Sequence, residues 1–239
     1  MKSKKTYFNW SSGKDASLAL YYLQQNDTLD VSKLITSINS HHDRVSMHGL
    51  RRELLEKQAQ SVGIPLTTIE LPQEPSMEEY AIIMEKAVAD LKAQNYTNCG
   101  FGDIHIEDLR EYREKQLAPF KIKCHFPLWK RDTREIIEDF IRLGFKAVVI
   151  CIKSELLDES FVGREINASF IADLPENVDP CGENGEFHTF CYDGPIFKET
   201  IDFEIGEKVL REYNRPKGDG DHPDTSEKIG FWFCDLVPK

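Results

Sequence analysis

Short apolar runs alternate with amphipathic stretches along the first half of this 239-residue chain. The run "TYFNW" predicts a strand. Ala16, Ala19, Leu20 and Leu23 then recur at i, i+3, i+4 and i+7, one face of a helix. "KLITSIN" predicts a second strand, and "LRRELLEKQAQSVG" a helix that stops at Gly63. "PLTTIEL" predicts a third strand. Beyond a proline-rich break, Ser76 is placed to cap a long helix carrying Met77, Tyr80, Ala81, Met84, Val88 and Leu91 on its apolar face. "YTNCGFG" predicts a fourth strand and "IEDLREYREKQL" a charged helix. Alternation of this kind predicts an α/β fold built on a doubly wound, Rossmann-like parallel sheet.

The pattern changes in the second half. "TREIIEDFIRLGFKAVVICI" still reads as a helix and then a buried strand. After it come the glycine- and acid-rich "DPCGENGEFHTF", a polar loop "RPKGDGDHPD" and a terminal strand "GFWFCDL". Two domains are expected: residues 1–123, binding a nucleotide, and residues 124–239, a smaller α+β unit. No internal repeat or low-complexity tract interrupts them.

Composition narrows the function. The chain is 40% apolar and 30% charged, enough for a sizeable core. Thirty Lys and Arg against 41 Asp and Glu leave a net charge of −11, which argues against general binding to nucleic acid or anionic membrane. The longest apolar run, "AVVICI", is far too short to span a bilayer. The six cysteines form no C-x-x-C pair and sit mostly in apolar runs, as reduced thiols of a cytoplasmic protein do.

Candidate chemistry begins at "YFNWSSGKDASLALYYL". A strand turning into a helix through small residues aims unpaired N–H groups and a helix dipole at the turn, a ready anion site. Ser11, Ser12 and Gly13 allow close approach, Lys14 adds a positive charge, and Asp15 either caps the helix or holds Mg²⁺. The plainer alternative is an ordinary capped helix start. The Walker loop is excluded, because Asp15 follows Gly13-Lys14 and Phe8 stands where the first glycine belongs. A zinc deaminase reading fails too: His105, Glu107 and Pro180-Cys181 mimic its signature, but Asn184 replaces the second cysteine. His41 and His42 have no partner at metal-ligand spacing.

Further along, Asp103 follows the fourth predicted strand, where parallel sheets place ligands, with Glu107, Asp108, Arg110 and Arg113 on the next helix. His48-Gly49 follows the second predicted strand and could reach the same crevice; a lone histidine is otherwise a capping or surface residue. Two glycines in "CGENGEFHTF" permit a tight turn that brings Glu183 near a ligand. If "EFHTF" is a strand, Glu186 and His188 share one face and Phe187 and Thr189 the other, a carboxylate and an imidazole suited to general acid–base work. Cys181 has no evident base partner as a nucleophile. Arg164 suits a carboxylate or phosphate, with a surface ion pair as its alternative.

The segment "WSSGKDAS" resembles the PP-loop, S-G-G-x-D-S, of the adenine-nucleotide α-hydrolase superfamily. Ser12 replaces the middle glycine, a mild change at negative φ, and Ala16 replaces the closing serine, with Ser17 one place later. "RVSMHG", "GFGDIHIEDLREYRE", "FPLW", "FVGREI" and "VDPCGENGEFHTF" follow in an order similar to that of the diphthine–ammonia ligase family. That resemblance spans nearly the whole chain, and it implies an ATP-dependent amide ligase that adenylates a carboxylate, releases pyrophosphate and lets ammonia displace AMP. It places Ser11, Ser12, Gly13, Lys14, Asp15, Ser17 and His48 on ATP, with Mg²⁺ at Asp15. Asp103, Glu107, Glu183, Glu186 and His188 become catalytic, and Arg164, Cys181, Gly182, Asn184 and Gly185 substrate-binding. The implied partners are ATP, ammonium and a carboxylate on a modified protein side chain or a small molecule, with no membrane; a homodimer stays open. Two rivals remain: a nucleotide sensor without turnover, and a PP-loop enzyme that modifies RNA.

Overall fold

The computed structural model describes residues 3–46, 49–214 and 228–239. His48 and the polar stretch "RPKGDGDHPD" lie outside the described residues. From the N-terminus, β1 (Lys4–Asn9) turns into α1 (Lys14–Gln24), and β2 (Leu29–Asn39) and the two-residue β3 (Arg44–Val45) lead to α2 (Arg52–Val62). Then follow β4 (Leu66–Leu71), α3 (Met77–Ala93), β5 (Asn98–Gly100), α4 (Glu107–Leu117) and β6 (Lys123–His125). These strands form one sheet. β1 lies between β2 and β5, β6 pairs outside β5, and β4 and β3 both pair with β2. All pairings are parallel except β2 with β3. The doubly wound α/β reading is therefore correct, with β3 as its antiparallel exception. The expected division at 123/124 falls inside β6.

Period-two alternation distributes the side chains of this sheet. Phe8, Leu34 and Ile38 join one core, while their neighbours Tyr7 and Ile35 join a second core with Val88 and Leu91 of α3. Local signals end the helices as the sequence predicts. Gly63 closes α2 in the left-handed region at φ 77°. Ser76 caps α3 in a reciprocal capping box with Glu79.

The remaining elements are α5 (Thr133–Arg142), β7 (Lys146–Lys153), α6 (Ala168–Asp173), β8 (Phe187–Asp193), β9 (Phe203–Asn214) and β10 (Lys228–Pro238). Their strands form a second, wholly antiparallel sheet in the order β8-β7-β10-β9. The first core continues into it through Val148, Ile150, Phe187 and Phe190, so the two sheets share one apolar cluster. That shared packing brings the start of β8 against the turn between β1 and α1. Among the described residues no helix is long and apolar enough to cross a membrane.

Candidate active site

β1 is the point where the chain order in the sheet reverses: β2 and β4 lie to one side, β5 and β6 to the other. Such a switch point opens a crevice at the carboxyl ends of the strands. The β1–α1 turn and the segment after β5 both leave from that end. The loop before β8 packs over them and closes a cavity of about 480 Å³, within the usual range for small-molecule sites.

The turn after β1 is held rigidly. Gly13 N–H points at Ser11 Oγ (3.4 Å), and Lys14 N–H donates to Thr189 Oγ1 (3.0 Å). These are two of the four first-turn donors that a helix cannot satisfy internally. The other two, Asp15 and Ala16 N–H, have no acceptor on another element of the described structure. Gly102 keeps the approach to them clear, since a Cβ there would stand 2.9 Å from Ala16 N. An anion-accepting cradle is therefore present. Beneath it, Ser12 O accepts from Cys191 N–H (2.9 Å) and Gln58 Nε2 (3.0 Å), while Gln58 Oε1 accepts from Trp10 Nε1 (2.6 Å). Ser12 has φ 72°, so the condition under which its replacement of glycine is mild, a negative φ, is not met; its buried hydroxyl lacks a hydrogen-bond partner and is not in the cavity lining. Ser17 also lies outside the cavity, its hydroxyl donating to Gly13 O (3.0 Å).

Lys14 does not extend toward open space. Its ammonium sits between Asp15 Oδ1 and Oδ2 (2.8 and 2.7 Å) and donates to Cys181 O. Burial opposes its charge, but Asp15, Cys181 and Glu183 together more than offset this and the lysine pKa rises. Burial pushes the Asp15 carboxyl up as well, with Lys14 only partly compensating. Among the described residues no three His, Cys, Asp or Glu side chains cluster as a metal site. Mg²⁺ at Asp15 would have to draw most of its ligands from phosphate oxygens and water, as that ion commonly does.

The 181–186 loop meets the sequence expectation in part. Gly182 and Gly185 have φ 68° and 80°, the tight turn their spacing implies. Cys181, Gly182, Glu183, Asn184, Gly185 and His188 all line the cavity. Glu183 Oε1 accepts from Ile104 N–H (2.9 Å) and His105 N–H (3.1 Å), fastening this loop to the segment after β5. Burial raises its pKa despite those two donors. Burial, reinforced by Lys14, lowers His188 to about 4, so its ring is neutral at pH 7. The Cys181 thiol is pushed up by burial and lies 3.2 Å from Thr133 O, which removes it as a nucleophile.

Three further expected residues lie elsewhere. Glu186 does not share a face with His188: it is buried inside its own loop, accepting from Asp179 N–H (3.1 Å), Asn184 N–H (2.8 Å) and Asn184 Nδ2 (3.0 Å). The glycine turn folds back on it, so it shapes the loop and is absent from the lining. Glu107 points to solvent, 3.2 Å from Lys130 Nζ, because the first turn of α4 carries it off the cavity wall. Arg164 forms the ion pair that was its alternative reading, with Asp173 (2.6 Å), and stacks over Phe161. Asp103 does line the cavity, in an ion pair with Arg113 (2.8 Å).

The sequence reading assigns no role at the site to Arg113, Thr189 or Gln58. Ile106, Leu109 and Arg113 follow i, i+3, i+7 spacing and line the cavity together, a signal that was available. Thr189 and Gln58 act across 175 and 46 residues of chain, beyond any local pattern.

Comparison with known proteins identifies the family. The model of the diphthamide synthase N-terminal domain matches residues 4–117, and that of the diphthamide synthase C-terminal domain residues 132–216. A diphthine–ammonia ligase of Danio rerio is 26% identical over 167 residues, 64% of this chain and 66% of that protein. The corresponding ligase of Mus musculus is 30% identical over 88 residues, 35% of this chain and 33% of that protein. The matches thus span a third to two thirds of those relatives' length. A structure described as a predicted subunit of a tRNA methyltransferase from Methanocaldococcus jannaschii covers 61% of this chain and 80% of its own. Its TM-score of 0.41 at 16% identity is too low to carry an argument. With both domain models matched in order across most of its length, the chain belongs to the diphthamide synthase family.

Proposed function

We propose that this protein is a cytoplasmic ATP-dependent ligase that joins ammonia to a carboxylate, forming an acyl-adenylate and releasing pyrophosphate and then AMP. One observation carries this reading: the β1–α1 turn, the segment after β5 and the 181–186 loop converge on a single cavity at the switch point of the sheet. The ligase names of the chain's relatives point the same way.

The chain's own groups suit the two steps. Asp15 and Ala16 N–H, with the α1 dipole, stabilise phosphate oxygens as charge builds at the α-phosphorus. Mg²⁺ bound with the nucleotide would supply further charge neutralisation, and Asp15 is the residue that would hold it. The substrate carboxylate attacks the α-phosphorus and pyrophosphate leaves. Ammonia then attacks the acyl carbon and AMP leaves. Before that attack ammonium must lose a proton. Glu183, whose pKa burial raises, is a better acceptor for it than His188, lowered to about 4. The tethers from Thr189 and Gln58 keep the two halves of the site in register, which is what in-line transfer requires.

A second reading, a nucleotide sensor without turnover, is favoured by Lys14, whose three ammonium donors meet acceptors within the protein. The test is to incubate the protein with ATP, Mg²⁺, ammonium and a panel of carboxylates, and to identify the nucleotide products. AMP with pyrophosphate is expected. ADP with phosphate contradicts the ligase, and tight ATP binding with no turnover across the panel favours the sensor.

A further inference from the structure

Two cationic side chains line the cavity, Lys14 and Arg113, and they differ in what they have left to offer. The donors of Lys14 are taken up by Asp15 and the Cys181 carbonyl. Arg113 is held by stacking, its guanidinium 4.5 Å over the Phe101 ring, and by Asp103. Nη2 donates to Asp103 Oδ1 at 3.0 Å. Nε stands 2.8 Å from Oδ2, but the two are not aligned as a hydrogen bond, and both atoms are buried without any other partner. Of the five N–H donors of a guanidinium, one makes a well-formed bond.

An ion pair this poorly satisfied is a weak stability device, because desolvation offsets its attraction and each buried unpaired atom adds a further cost. It is better suited to binding. A stacked guanidinium with spare donors, partly neutralised by a neighbouring carboxylate, matches a planar oxyanion. Ile106 and Leu109 line the cavity on the same helical face and give whatever carries that oxyanion an apolar flank.

We propose that Arg113, positioned by Asp103 and Phe101, is the oxyanion receptor of this cavity and takes a carboxylate borne on an aliphatic stem. The inference rests on the ligase reading and adds to it the residue that selects the acyl substrate. A phosphate of the nucleotide is the other source of the same chemistry, and the apolar flank favours the carboxylate.

The test is calorimetric titration of the full chain with Mg²⁺ and α,β-methylene-ATP, with pyrophosphate, and with butyrate or glutarate in the presence of saturating analogue. Arg113→Gln should weaken butyrate or glutarate binding on the order of tenfold to a hundredfold, the range for losing a charged hydrogen-bond partner, with the nucleotide affinity within about twofold. Arg113→Lys, which keeps the charge and loses the fork, should fall between. The double variant Asp103→Asn/Arg113→Gln leaves no lone buried charge; it should melt near the wild-type temperature and still lose the carboxylate. Loss of α,β-methylene-ATP or pyrophosphate affinity instead supports the oxyanion receptor and assigns it to phosphate. Affinities unchanged for every ligand, or a wild type that takes no carboxylate while its phosphate ligands ignore Arg113→Gln, overturn the proposal. These readouts are binding alone. A chain that binds through Arg113 but never forms AMP leaves this inference standing while the ligase fails, and AMP formation with indifferent Arg113 variants does the reverse.

Discussion

Ser12 combines two unfavourable features, a left-handed backbone at φ 72° and a buried hydroxyl with no hydrogen-bond partner. Each costs about 1 kcal/mol or more. Gln58 and β8 hold the residue there by gripping its carbonyl. Ser12→Gly relieves both features, and the greater freedom of glycine in the unfolded chain returns part of the gain. A net stabilisation of ~1 kcal/mol is expected, read as a higher urea midpoint at unchanged slope. The sequence shows serine where the resembling pattern has glycine, yet the sign of φ is set by contacts made 46 and 179 residues away and is not written locally. His188 supplies a pH dependence. Burial lowers its pKa from 6.5 to about 4, so the unfolded chain takes up the proton first. The stability contributed by the neutral ring is complete above pH 6.5 and declines as pH falls to about 4, by at most ~3 kcal/mol. His188→Gln should flatten the stability curve over that window; an unchanged difference between variant and wild type across it would contradict the assignment.

Among the elements, those with strong local signals were legible. α3 begins where Ser76 predicts, and both capping-box hydrogen bonds form, at 2.9 and 3.1 Å. Ser76→Ala should destabilise the protein by ~1 kcal/mol, measured as a lower urea midpoint, without changing ligand affinity, since Ser76 does not line the cavity. β9 was not legible. In "FEIGEKVLREYN" Phe203, Ile205, Val209 and Tyr213 share one face, but Glu207 and Arg211 interrupt it, Leu210 falls on the other, Ile205 and Leu210 are exposed, and the strand exists because β10 pairs with it along its length. The 181–186 loop lies between these cases: its glycines announced the turn, but which acid faces the cavity depended on how the turn folded back. That fold put Glu186 inside and Glu183 at the wall. Likewise α4 is a helix as the sequence predicts, and the spacing of Ile106, Leu109 and Arg113 signals its inner face, while the outward turn of Glu107 comes only with the packing.

The whole molecule joins its two sheets through one apolar core and through polar ties, one of which ends at the site. Asp235 of β10 pairs with Arg44 and Arg51, and Thr189 of β8 caps the first turn of α1. The cradle at the β1–α1 turn is thus built from both sheets, and its shape depends on their packing. At this scale the fold class and the convergence of three motifs were readable from strand–helix alternation and the order of the motifs. The antiparallel order of the second sheet was not, because long-range pairing fixes it. The central claim is that a carboxylate attacks the α-phosphorus in this cavity and that ammonia then takes the acyl group. Oxygen isotope transfer tests it most directly, using a carboxylate that supports AMP formation, labelled with ¹⁸O at both carboxyl oxygens, with ATP, Mg²⁺ and ammonium. The account predicts one ¹⁸O in AMP and one in the amide; AMP without label, its new oxygen drawn from water, would contradict it.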